Sequence, residues 1–275
     1  MRTIVDQTLA STNVDAQGER LSRTFLQHYC SSMGNRRHPI HHQHDMSRPT
    51  VGYVENHRLV PDEANLGEWK LIGNVYLHDG VAESDARGFS ISGVEMLLEP
   101  PTADAKLLLP YPHYNDQALI DAFTSDSRLA VGRWIKKGSG ELEWGLLFGS
   151  LFAFVFTPIW DDLYKRKIAP RIDALLTAYL KNARPRGLSA QVLQVVDFHE
   201  SEVQVLFIPS PDREDLCLRS DKILDGLRLV EKFLREDRKA SDVGVHRIVL
   251  FFNESISGYA LHRIEYSDAS VEHVV

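Results

Sequence analysis

Apolar positions in the first hundred residues recur at two periods. Leu21, Phe25, Leu26 and Tyr29 are spaced as on one face of a helix, which predicts a short amphipathic helix over residues 21–30 that ends near Gly34. Beyond it the pattern turns to strands: 40–45 behind Pro39, 51–60 and 69–78 as a hairpin around the loop 61–67, and 88–98. In a strand over 40–45, His42 and His44 share one face, and His41 and Asp45 take the other. Residues 1–20 are polar and weakly patterned.

The middle of the chain reads differently. A short helix is expected over 116–123 and a strand over 129–135, followed by the linker-like triplet Gly138-Ser139-Gly140. Residues 144–160 (WGLLFGSLFAFVFTPIW) carry no charge, and they predict an apolar helix that Pro158 bends or ends. Its length is at the lower edge of a membrane span, which takes about 20 apolar residues, so a buried connector and a membrane attachment both fit. A helix over 168–180 follows, with Pro170 near its start and Arg184-Pro185-Arg186-Gly187 at its close.

The last ninety residues predict strands at 190–197 and 203–209, a long helix over 219–238, and strands at 247–253 and 258–266. The helix carries Ile223, Leu224, Leu227, Val230, Phe233 and Leu234 on one stripe. This ββαββ order implies a sheet with one face covered by that helix. The fold class expected is therefore α+β: a mostly antiparallel β domain at 1–138, an apolar helical connector at 139–187, and a ββαββ domain at 188–275.

Composition narrows the function. The 275 residues are 43% hydrophobic and 25% charged, an ordinary globular profile. With 31 basic against 38 acidic residues the net charge is -7, which disfavours binding nucleic acid through phosphate neutralisation. Only two cysteines occur, Cys30 and Cys217, far apart, which points to a reducing compartment and away from a disulfide framework. The N-terminus lacks the apolar run of a signal peptide, so a cytoplasmic location is expected, with membrane association through 144–160 as the variant.

The richest chemistry lies between residues 38 and 45, where His38, His41, His42 and His44 cluster beside Asp45. A His-x-His pair on one strand face can chelate zinc, but a site needs a third and usually a fourth ligand, and His57, His78 and His113 are unpatterned. The hydrolytic alternative asks for a base, a nucleophile and a group that orients the base. The run His44-Asp45, followed by Pro49 and by Gly52 at a strand start, resembles the His-Asp motif of phage prohead maturation proteases. Gly88-Phe89-Ser90-Ile91-Ser92-Gly93 is similar to that family's nucleophile segment, and Asp15-Ala16-Gln17-Gly18-Glu19 to its start.

The resemblance implies a prohead-protease type of N-terminal domain and a serine peptidase with His44 as base and Ser90 as nucleophile. Ser92 stands where the family commonly has Gly, and it is the alternative nucleophile on the same strand face. By analogy with the related herpesvirus assemblins, which use a second His, and with members that use an acid, His113 or Asp116 is the third member. No cofactor or metal is required; the partners implied are a protein or peptide substrate and a second copy of the chain in a homo-oligomer. The rivals are a catalytically inactive peptidase-like module that binds or senses, and a membrane-tethered effector in a bacterial defence system. Nothing in 140–275 resembles the scaffold or capsid sequence that often follows such a protease.

Overall fold

The computed structural model describes residues 2–15, 18, 20–33, 37–41, 48, 50–81, 92–99, 103, 105–124, 129–136, 145–150, 154–155, 160–199 and 201–274. Two compact units divide the chain: Met1–Gly93 with Ile135–Glu143, and Val94–Trp134 with Trp144–Val275.

The first unit contains β1 (Arg2–Ser11), α1 (Arg23–Met33), β2 (His38–His41), β3 (Thr50–Pro61) and β4 (Trp69–Leu77). The strands form an antiparallel sheet in the order β1-β4-β3-β2. Its core is Leu9, Leu21, Leu26, Ile40, Val54, Leu71, Val75 and Leu77, with Phe25, Tyr29 and Cys30 of α1 packed against it. Burying each large aliphatic side chain stabilises the unit by about 1.5–3 kcal/mol. Ser22 caps α1 by accepting the Phe25 N–H at 3.1 Å.

The helix at 23–33 and the hairpin of β3 and β4 agree with the sequence pattern. β1 does not show in that pattern. It pairs only with β4 among the described residues and buries only Leu9 and Ala10, so most of its side chains carry no apolar signal. At the hairpin loop Asp62 accepts from Asn13, Asn65 and the Ala64 N–H and pairs with Lys70 at 2.7 Å, which holds its carboxyl well below the usual carboxylate range.

The second unit is built on a mixed sheet, ten-stranded among the described residues. It contains β5 (Ser92–Leu98) from Val94 on, β6 (Ala105–Pro110), α2 (Gln117–Thr124), β7 (Leu129–Lys136) as far as Trp134, β8 (Gly145–Ser150), β9 (Phe154–Val155), α3 (Trp160–Leu163) and α4 (Ala169–Asn182). There follow β10 (Ser189–Phe198), β11 (Ser201–Ile208), α5 (Glu214–Cys217), α6 (Ser220–Glu236), α7 (Arg238–Val243), β12 (Val245–Asn253), β13 (Gly258–Tyr266) and β14 (Val271–His273). The strand order is β14-β13-β12-β11-β10-β8-β6-β7-β5, with β9 beside β10. β11 and β12 are parallel, so the chain between them crosses over through α5, α6 and α7.

One core joins the helices to the sheet: Leu119 and Phe123 of α2, Leu176 and Tyr179 of α4, and Ile223, Leu227, Val230 and Leu234 of α6 meet Leu107, Val192, Val205, Phe207, Ile248 and Ile264. Asp173 of α4 caps α6, accepting the Ser220 N–H at 3.1 Å and the Ser220 hydroxyl at 2.8 Å. On β12 and β13, Arg263 reaches Glu265 at 2.9 Å and Arg247 reaches it at 3.4 Å. All three are almost fully buried, and Arg247 also donates to Gln204.

Several expectations are corrected here. Within the apolar stretch 144–160, Gly145–Ser150 is a strand and not the expected helix: it is β8, parallel to β10 and antiparallel to β6. A strand with neighbours on both sides inside a large sheet reads as an unbroken apolar run, which periodicity cannot tell from a buried helix. No helix among the described residues is long and apolar enough to cross a membrane. The helix that follows starts at Trp160 and runs through a π-helical turn, Tyr164–Ile168, that ends two positions before Pro170. Pro170 has no N–H to return to the preceding turn, and the widened turn takes up that mismatch.

The ββαββ segment has the predicted elements, with α5, α7 and β14 added, but it is not a domain of its own, because its sheet continues through β8, β6, β7 and β5. Residues 94–134, expected in the N-terminal domain, and most of the expected connector belong to this second unit.

Candidate active site

Of the sequence motif, Gly52 is described, near the end of the first sheet where β2 finishes and β3 begins. His41 pairs with Thr50, Gly52 with Leu77, and the His78 N–H donates to the Val51 carbonyl at 3.0 Å. The last residue of β2, the first of β3 and the last of β4 are thus neighbours across three strands. His44 lies three positions beyond His41, on the chain between β2 and β3. Ser90 lies on the chain that leaves β4. Both residues are outside the described residues, as are His42, Asp45 and Pro49.

Gly52 has a physical reason at this end. A Cβ at that position would penetrate the Tyr76 carbonyl oxygen and come within 3.0 Å of the Leu77 Cα. Only glycine lets β3 and β4 approach this closely, and one residue on, Tyr53 and Tyr76 stack with ring centroids 4.9 Å apart. Arg37 lies over the Tyr53 ring at 4.7 Å and reaches Glu55 at 3.4 Å.

Two polar side chains occupy the same end. Thr50 is buried, and its hydroxyl is 3.5 Å from the half-buried His78 Nε2. Thr50 opens β3 and His78 follows the last residue of β4, so the register of the hairpin brings them together. Sequence reasoning treated His78 as one unpatterned histidine among several. Its position at a strand end, opposite the residue that starts the partner strand, is the signal that finds it, and that signal needs the hairpin register.

The other predicted residues fall as follows. Ser92 is the first residue of β5. His113 begins a one-turn 3-10 helix, His113–Asn115, and belongs to the second unit. Burial lowers the affinity of His113 for a proton, partly offset by Asp116. Asp116 caps α2, accepting the Leu119 N–H at 3.0 Å, and pairs with Arg186. The cap and the guanidinium keep its carboxyl below the usual range. Of the histidine cluster only the His38 side chain is described, on β2 opposite Val54. Among the described residues no group of three or more His, Cys, Asp or Glu side chains could hold a metal ion.

Comparison with family models, with curated proteins and with solved structures finds no match to this chain.

Proposed function

We propose that this chain is a serine peptidase of the prohead maturation type. Ser90 attacks the carbonyl carbon of a peptide bond while His44 takes the hydroxyl proton. The C–N bond then breaks, His44 returns that proton to the leaving amine, and an acyl ester remains on Ser90. Water, activated by His44 in the same way, hydrolyses the ester and frees the enzyme. Nucleophile, base and acid are all protein groups, so the reaction asks for no metal or cofactor.

The observation that carries this reading is the common strand end. The chain segments that hold the proposed base and nucleophile leave β2 and β4, the two strands that flank β3, at the end where β3 starts and Gly52 holds the hairpin tight. A base and a nucleophile 46 positions apart in sequence need such a convergence to meet. Ser92 is the alternative nucleophile, two positions further on.

The test is peptide hydrolysis. Incubated with an unfolded protein substrate, the wild-type chain is expected to generate defined fragments, and Ser90→Ala and His44→Ala to generate none while keeping the wild-type circular dichroism. Cleavage that survives Ser90→Ala but not Ser92→Ala moves the nucleophile to Ser92. A chain that binds peptides and cleaves none sinks the peptidase reading in favour of a non-catalytic binding module.

A further inference from the structure

His57 on β3 is a buried imidazole with an unusual surrounding. The residue is 8% exposed, and among the described residues neither Nδ1 nor Nε2 has a hydrogen-bond partner. The backbone explains how it came to be inside. Val54 faces the core of the first unit, and with the strand's two-residue period Asn56 would be the next to turn inward. Glu55 pairs with Asn74 and Arg58 with Ile72, so two residues, Asn56 and His57, face the single Gly73. Asn56 adopts a left-handed conformation with φ +58°, which asparagine tolerates. This bulge shifts the alternation by one position, so that His57 turns inward while Asn56 and Arg58 stay exposed.

Inside, His57 meets α1. The Tyr29 ring stands edge-on to it with centroids 5.9 Å apart, and the Cys30 thiol donates to the His57 carbonyl at 3.2 Å. From β2, the His38 ring is also edge-on to Tyr29, with centroids 6.0 Å apart. From β4 the residues opposite the bulge are Ile72, Gly73 and Asn74, none of them charged. On β3 itself the flanking charges are engaged elsewhere: Glu55 with Arg37 at 3.4 Å, and Arg58 with Asp6 of β1. Among the described residues no carboxylate is hydrogen-bonded to the ring.

An imidazolium in this position would bury a charge and two N–H donors with no acceptor, and each of those is costly. Burial accordingly lowers the proton affinity of His57. Opening the contact between α1 and the sheet relieves all of it by admitting water. We propose that His57 is an acid-operated latch: with a neutral ring α1 stays docked on the sheet of the first unit, and protonation of His57 releases it. The inference does not depend on the peptidase reading.

The sign follows from linkage. The docked form holds His57 neutral and the open form takes up a proton at the ordinary histidine pKa, so docking is at full strength above about pH 6.5 and is lost as the pH falls below it. A single site of this kind raises the open fraction up to about thirtyfold between pH 7.5 and pH 5.

Hydrogen exchange of the full chain, corrected for the intrinsic pH dependence of amide exchange, reads this directly. Wild-type α1 is expected to open progressively more over that range while β10, β11 and β12 keep their protection. His57→Phe, which retains a ring against Tyr29 and cannot take a proton, is expected to remove the response. His38→Gln and His28→Gln, changing the neighbouring histidine and the exposed one on α1, are expected to retain it. Protection of α1 that is independent of pH in the wild type overturns the proposal, as does a response that survives His57→Phe or disappears in His38→Gln. Should His57→Phe fail to fold, the wild-type ring is followed by NMR: its titration is expected to coincide with the opening of α1, and titration without opening overturns the latch.

Discussion

Replacing Gly52 with alanine adds one methyl group at the point where β3 and β4 are closest. The new Cβ would overlap the Tyr76 carbonyl oxygen and approach the Leu77 Cα to 3.0 Å. Both neighbours are backbone atoms of the paired strand, so no side-chain rotation relieves the contact and the strands must separate locally. Overpacking a well-filled site costs about 1–3 kcal/mol. The rigidity of this neighbour puts Gly52→Ala in the upper half of that range. A loss of about 2 kcal/mol corresponds to roughly thirtyfold faster exchange of those β3 and β4 amides that exchange by global opening of the first unit. The same displacement acts at the strand ends from which the His44 and Ser90 segments depart, so on the proposed peptidase reading hydrolysis is expected to fall as well. Native-state hydrogen exchange at pH 7.5 measures the first effect, and wild-type protection of β3 and β4 in Gly52→Ala would refute the reasoning.

Three further changes address the second unit. Gly226→Ala places a Cβ 2.5 Å from the Phe207 ring, under which α6 packs, and is expected to cost about 1–3 kcal/mol in denaturant unfolding; a neutral result would mean that the ring moves freely aside. Asp173→Ala removes the cap that α4 supplies to α6 and is expected to cost about 1 kcal/mol, seen as faster exchange in the first turn of α6. Arg263→Met takes one of two guanidiniums from the buried Glu265 and is expected to cost about 3–5 kcal/mol, lowering the melting temperature by roughly 10 °C. An unchanged melting temperature would show that Arg247 alone satisfies Glu265.

Legibility from sequence followed the clarity of the period. α6 combines a wide apolar stripe with a polar face, and its predicted span, 219–238, agrees with Ser220–Glu236 to within two residues. β13 was predicted with its observed limits, because Gly258 and the turn before it punctuate the pattern. β8 was misread because a strand paired on both sides has no alternation to show. The extent of the second sheet was equally hidden, since the pairings of β8 with β10 and of β6 with β8 join segments tens of residues apart and leave no local trace.

At the candidate site, Gly52 has a clear structural cause, while His44, Asp45 and Pro49 of the same motif lie outside the described residues. The neighbours of the motif were not legible in the sequence. His78 meets Thr50 only through the register of the hairpin, and His57 turns inward only because Asn56 bulges, a feature that a strand-like run such as Val54-Glu55-Asn56-His57-Arg58-Leu59 conceals.

The central claim is that Ser90 is a nucleophile activated by His44, and covalent labelling with a fluorophosphonate, located by tandem mass spectrometry, tests it most directly. The account predicts one adduct, on Ser90, that disappears in Ser90→Ala and in His44→Ala. Absence of any adduct on the wild-type chain, or an adduct that persists in Ser90→Ala, would contradict it.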